Sequence, residues 1–206
     1  MSEKKTSSER LAAFSDAVFA VIITVLVLEL KPPAEPDLRA LLPLWATALS
    51  YFVSYVFIAI IWVNHHYLFR FARSATTALI WWNFAHLFMI SLLPFTTAWI
   101  ARTRLSAAPV FVYALNFVWI EIAYIAFERT AFSQASAAEL APRMRRIANL
   151  RSYLAFGLFS CAAALSFWSP KTGFALVSCV LLIYLSPQLP RLLNSRSRRF
   201  SSNSRS

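Results

Sequence analysis

The residues in this chain that could carry chemistry are polar groups set into apolar surroundings. The first hydrophobic run opens on Arg10, Phe14, Ser15 and Asp16, holds Thr24 in its middle and closes on Glu29. Asn64, His65 and His66 end the second run, Trp82, Asn83 and His86 open the third, and Glu121 stands alone in the fourth. Ionisable groups at membrane depth are costly, so each needs a partner, a proton or a task. On a helix of about 100° per residue, Phe14, Ala17, Val21, Thr24 and Leu28 share one narrow stripe, and Asp16 lies about 140° from Val21. A stripe of medium apolar side chains with one hydroxyl can line a narrow symmetric pore. It can equally be a packing seam, with Thr24 bonding back to the Ala20 carbonyl, and on residue physics alone the seam is the commoner use. Asp16, turned from the stripe, is placed to anchor the helix to its own bundle.

The elements that must position these groups are membrane helices. The chain has 206 residues, 59% of them hydrophobic, and a mean hydropathy of +0.57, which excludes an ordinary soluble domain. Six spans are predicted, an all-α plan. The first begins near Arg10, with Thr6-x-x-Glu9 as a capping box, and stops at Lys31-Pro32-Pro33. The second covers about residues 40 to 63 and exits into Asn64-His65-His66. The third covers about 78 to 100, kinked at Pro94, and the fourth about 109 to 127. A basic surface segment then runs from Ser133 to Arg151, followed by two short spans at about 152 to 168 and 173 to 189, expected as a peripheral hairpin. Cys161 and Cys179 read as small buried hydrophobes.

The formal charge of +11 is explained by topology and not by nucleic acid. With both termini cytoplasmic, fifteen of the 20 Lys and Arg residues fall inside and five outside. Residues 1–190 form the membrane unit, and 191–206 form a Ser/Arg-rich tail expected to be disordered against anionic lipid. There is no nucleophile motif, metal-spaced cluster or phosphate-binding loop to suggest an enzyme.

With that topology Asp16, the three histidines and Asn83 occupy one layer. Asn83 and His86, three apart, share a face and can meet the Ser15-Asp16 corner, giving a network of Asn64, His65, His66, Trp82, Asn83 and His86 that holds the first helix. Adjacent His65 and His66 cannot readily converge on one metal ion, so no metal is expected. Arg10 either pairs with Asp16 or reaches headgroups. Glu29 either concentrates cations at a mouth or is simply solvated.

Arg10-x-x-x-Phe14-Ser15-Asp16, followed by an apolar run containing Thr24, resembles the start of the first helix of the transmembrane protein 175 family, the potassium channels of lysosomes and bacteria. The likeness extends over about residues 7 to 190 and matches the bacterial single-repeat type. It implies a potassium-selective or potassium-preferring cation channel of the cell membrane, with potassium as permeant ion and no cofactor. First helices from a homo-oligomer, four copies by family expectation, would surround the pore. A Thr-Val-Gly-Tyr-Gly filter is not expected, and the chain has only two glycines. Carried over from the motif, the constriction rings fall at Val21, Thr24 and Leu28, with Val21 standing where Ile or Leu is usual. Arg10, Phe14, Ser15 and Asp16 would anchor the pore helix. The competing reading is a proton-coupled secondary transporter using Asp16, His86 and Glu121, against which the sequence shows no inverted repeat.

Overall fold

The structure is a computed structural model that describes residues 2–184. Within them the chain is helical: α1 Ser2–Leu28, a 3-10 segment Leu38–Leu44, α2 Trp45–Phe69, α3 Thr77–Ser91, α4 Leu93–Arg102, α5 Ala107–Phe132, α6 Pro142–Leu165 and α7 Pro170–Tyr184. Among the described residues five segments are long and apolar enough to cross a membrane: Ser7–Leu28, Leu38–Phe69, Thr77–Arg102, Ala107–Phe132 and Pro142–Leu165. The chain is a multi-pass membrane protein. The end of the sixth expected span and the basic tail 191–206 lie outside the described residues.

Several boundaries differ from those expected. Helix α1 already runs from Ser2, so Thr6-x-x-Glu9 lies inside it and does not cap it. Asn64, His65 and His66 are not an exit loop, because α2 continues to Phe69. Nothing there breaks a helix, and the Asn64 side-chain amide donates to the Ile60 carbonyl one turn back, at 2.8 Å. Pro94 does divide the third span: α3 ends at Ser91, and Pro94 sits in the first turn of α4, where a missing N–H costs least.

The basic stretch 133–151 is not one surface helix. Residues 133–141 form a turn, and α6 takes up the chain at Pro142 and carries Arg143, Arg145, Arg146 and Arg151 into a single helix ending at Leu165. Two of these arginines find fixed partners, which makes the early helix start tolerable. Arg145 donates to the Phe132 carbonyl, and Arg151 reaches inward to Asn64 and Tyr124.

The α6 span is 28% buried, little more than that of α1, yet the α6–α7 hairpin packs closely on the bundle along one face. Ala155, Ala162 and Ala163 let α6 approach closely, and Phe159 enters a ring cluster with Phe57 of α2 and Phe117 of α5, whose ring centroids lie 4.3 Å apart. Gly173 makes the turn of α7 against α6 possible, since a Cβ there would lie 2.4 Å from Ser166 Oγ. Cys161 and Cys179 face outward, contrary to their expected burial. Helix α5 is the centre of the subunit, with 61% of its apolar window buried, while α1 lies at the margin with 22%.

Candidate pore face and its anchoring network

Helix α1 has two unlike sides. Leu11, Ser15, Phe19, Ile22 and Leu26, three or four apart, are buried against the bundle. The stripe of Phe14, Ala17, Val21, Thr24 and Leu28 faces away from it, with Phe14 47%, Val21 59% and Leu28 76% exposed. The stripe is therefore not a seam inside its own subunit. Val25 and Val27 flank it and are less open, at 42% and 43%. Thr24 donates its hydroxyl proton to the Val21 carbonyl at 2.7 Å, and not to Ala20. With that proton spent inside the helix, the oxygen is left as an acceptor on the outer face.

The opposite side of α1 is held by hydrogen bonds from distant helices. Ser15 Oγ donates to the Leu11 carbonyl at 2.9 Å and accepts from Asn83 Nδ2 at 3.0 Å. Asn83 Oδ1 in turn accepts from His65 Nε2 at 2.7 Å. Because a carbonyl oxygen only accepts, this contact places the His65 proton on Nε2. His65 stacks on His86, ring centroids 5.8 Å apart and planes within 9°, and His86 Nδ1 donates to the Ile120 carbonyl at 3.2 Å. Ser15, His65, Asn83 and His86 are all fully buried, so each bond replaces water that cannot enter.

Asp16 is held separately. Trp62 Nε1 donates to Asp16 Oδ1 at 2.8 Å, and the Trp62 ring lies 5.5 Å from His66. Asp16 thus anchors α1 to its own subunit through α2. Trp62 was missed in the sequence, although an indole N–H inside a membrane helix always requires an acceptor. Arg10 is exposed and, among the described residues, has no ion-pair partner.

Not every expected member joins this network. His66 and Trp82 are exposed on the outside of the bundle. Asn64 belongs to a different cluster, accepting from Arg151 Nη1 at 3.1 Å. Arg151 also approaches Glu128 at 3.8 Å and lies over the Tyr184 ring, and Ser152 donates to Glu128 at 3.2 Å. This inner cluster, of which the sequence singles out only Asn64, for the other network, and Glu121, includes the Tyr184 hydroxyl within 2.7 and 2.8 Å of the two Glu121 oxygens.

The family described as endosomal/lysosomal potassium channel TMEM175 matches residues 10–94, which contain α1 from Arg10 onward, His65, His86 and Asn83. A potassium channel of Chryseobacterium sp. (strain P1-3) is 32% identical over 179 residues, covering 86% of this chain and 92% of the relative. The chain belongs to the TMEM175 family. A potassium channel of Chamaesiphon minutus is 33% identical over 197 residues, covering 89% of this chain and 95% of the relative. The crystal structure of a lysosomal potassium-selective channel TMEM175 homolog from the same organism superposes with a TM-score of 0.75 at 28% identity, over 87% of this chain and 97% of that one. The human endosomal/lysosomal proton channel TMEM175 is 34% identical over 85 residues, but these are 35% of this chain and 17% of the human protein.

TMEM175 proteins are ion channels and not an enzyme class, and the secondary-transporter reading finds no support among these relatives. The three groups it would use are also tied to different partners here: Asp16 to Trp62, His86 to the Ile120 carbonyl and Glu121 to Tyr184. Glu29 is not free to act as a cation-concentrating charge alone, since Arg102 Nη2 donates to its Oε2 at 3.1 Å.

Proposed function

We propose that this TMEM175 member conducts potassium across the cell membrane through a pore lined by the outer face of α1 from several subunits, four by the family expectation. The observation that carries the reading is the exposure of Val21, Thr24 and Leu28 on a helix whose other side is buried and hydrogen-bonded to its own bundle. Around an axis, residues three and four apart become successive rings. Val21 and Leu28 rings offer an ion no ligands, so dehydration there sets the barrier, while outward-facing Thr24 oxygens return some coordination. The printed names of the Chryseobacterium and Chamaesiphon relatives, both potassium channels, support potassium as the ion. The charge asymmetry of the loops supports cytoplasmic termini.

The test is planar-bilayer recording from the purified protein under a potassium/sodium gradient. The reversal potential should move toward that of potassium. Leu28→Ala should raise conductance, and Thr24→Val should lower potassium preference or flux. Val27→Ala should do much less than Leu28→Ala. Equal effects at Val27 and Leu28, or none at Thr24, would place the pore elsewhere.

A further inference from the structure

At the end of the bundle where α1 stops, a cavity of about 140 Å³ opens between α1, α2 and α4. Its inner wall includes the buried Leu26 and the partly buried Tyr51 and Thr47, and its lining also includes Glu29, Lys31 and Arg102. The burial gradient orients it. Leu26 is 1% exposed, whereas the Arg102 side chain is 68% exposed and Lys31 is exposed. The space is about ten times what one buried water needs.

Two of its three charged groups are cations, and the one acid, Glu29, is already engaged by Arg102. Among the described residues Lys31 has no ion-pair partner. The site lies at the ends of membrane-spanning helices, on the outer side by the charge asymmetry of the loops, and two cations beside an apolar wall complement an anionic head and its adjoining carbons. We propose that this cavity binds the phosphate of an anionic phospholipid, with Lys31 and Arg102 as its partners and the apolar wall receiving the adjoining glycerol and acyl carbons.

Occupancy has a mechanical consequence. The Arg102–Glu29 pair ties the end of α1 to α4, and a phosphate at Arg102 competes with Glu29 for the same guanidinium. Bound lipid therefore loosens the tie at the end of the helix assigned to the pore. That coupling rests on the proposed pore, whereas the binding does not, so binding is tested first and by itself.

The experiment is native mass spectrometry of the purified full chain with phosphatidylglycerol or phosphatidylcholine, for the wild type, Lys31→Gln/Arg102→Gln and Glu29→Gln. The wild type should retain phosphatidylglycerol in preference, and the double variant should lose that preference by on the order of tenfold or more. Glu29→Gln, which frees Arg102 without removing a cation, should retain more phosphatidylglycerol than wild type and keeps the test open if the double variant does not fold. Unchanged retention in the double variant, or lowered retention in Glu29→Gln, would overturn the site. Displacement of the lipid by inorganic phosphate at comparable concentration would overturn the lipid assignment, because the cavity would then read the phosphate alone. Bilayer currents in phosphatidylglycerol against phosphatidylcholine then report the coupling: wild type should differ between the two and Glu29→Gln should differ less.

Discussion

Asn83 of α3 donates its side-chain amide to Ser15 of α1 at 3.0 Å across 68 positions of sequence, and its carbonyl accepts from His65 of α2. One amide thus fixes three helices at one depth. Asn83→Ala leaves His65 Nε2 and Ser15 Oγ buried without this partner. We expect a loss of about 1–2 kcal/mol, between the cost of an unpaired buried group and the smaller values found for polar bonds between membrane helices. Ser15→Ala should cost less, because Ser15 also spends its proton on its own helix at Leu11. Thermal unfolding in detergent measures both, and an equal or larger loss for Ser15→Ala would contradict this ordering.

Asp16 and Trp62 make the other tie between α1 and α2. Asp16→Ala and Trp62→Phe should each weaken assembly, and the double variant should be little worse than either alone, since both remove the one Trp62–Asp16 bond. Neither should shift the reversal potential much, because Asp16 lies off the exposed stripe. An intact oligomer with altered ion preference in Asp16→Ala would put this carboxylate in the conduction path.

Gly173 is a steric requirement of the α6–α7 turn. A Cβ there would meet Ser166 Oγ at 2.4 Å and the Ala162 carbonyl at 2.9 Å, while Ser166 Oγ itself donates to that carbonyl at 2.7 Å. The hydroxyl can rotate, but the carbonyl belongs to α6 backbone. Gly173→Ala should destabilise by about 1–3 kcal/mol, the usual cost of overpacking. Adding Ser166→Ala should recover part of it. A melting temperature unchanged by Gly173→Ala would show that the helices separate freely at this point.

Glu139 closes the turn between α5 and α6 outside the membrane. The Ser136 backbone N–H, the Ser136 hydroxyl and then Arg73 hold its carboxyl below the usual carboxylate range. A carboxyl held low in the folded state contributes above its ordinary pKa and loses that contribution as pH falls through the lowered one. Acidification through the carboxylate range should therefore speed amide exchange over residues 133–141, and Glu139→Gln should show the faster exchange already at neutral pH. The pair is solvent-exposed, so global stability should barely move. Identical exchange in Glu139→Gln and wild type would remove the latch.

Much of this was legible in the sequence because it is local. Helix period alone groups Phe14, Ala17, Val21, Thr24 and Leu28 on one side and sets Asp16 apart, and the proline at position 94 divides its span wherever the fold places it. Composition determined a multi-pass helical membrane protein, and the Arg10-to-Asp16 motif pointed to the family.

Which side of α1 is buried was not legible, since Val21 and Ile22 are equally apolar neighbours, yet one is 59% and the other 4% exposed. In water an apolar side chain announces that it is buried. In a membrane helix it is equally at home against lipid, a pore or protein, so hydropathy does not separate them. The choice was made by polar partners supplied from far along the chain: Asn83 for Ser15, Trp62 for Asp16 and, just past the helix end, Arg102 for Glu29. Only the packing of the helices brings these pairs within 3.1 Å, because each hydrogen bond requires a donor and an acceptor at one depth on facing helices, and sequence spacing sets the depth but not the facing.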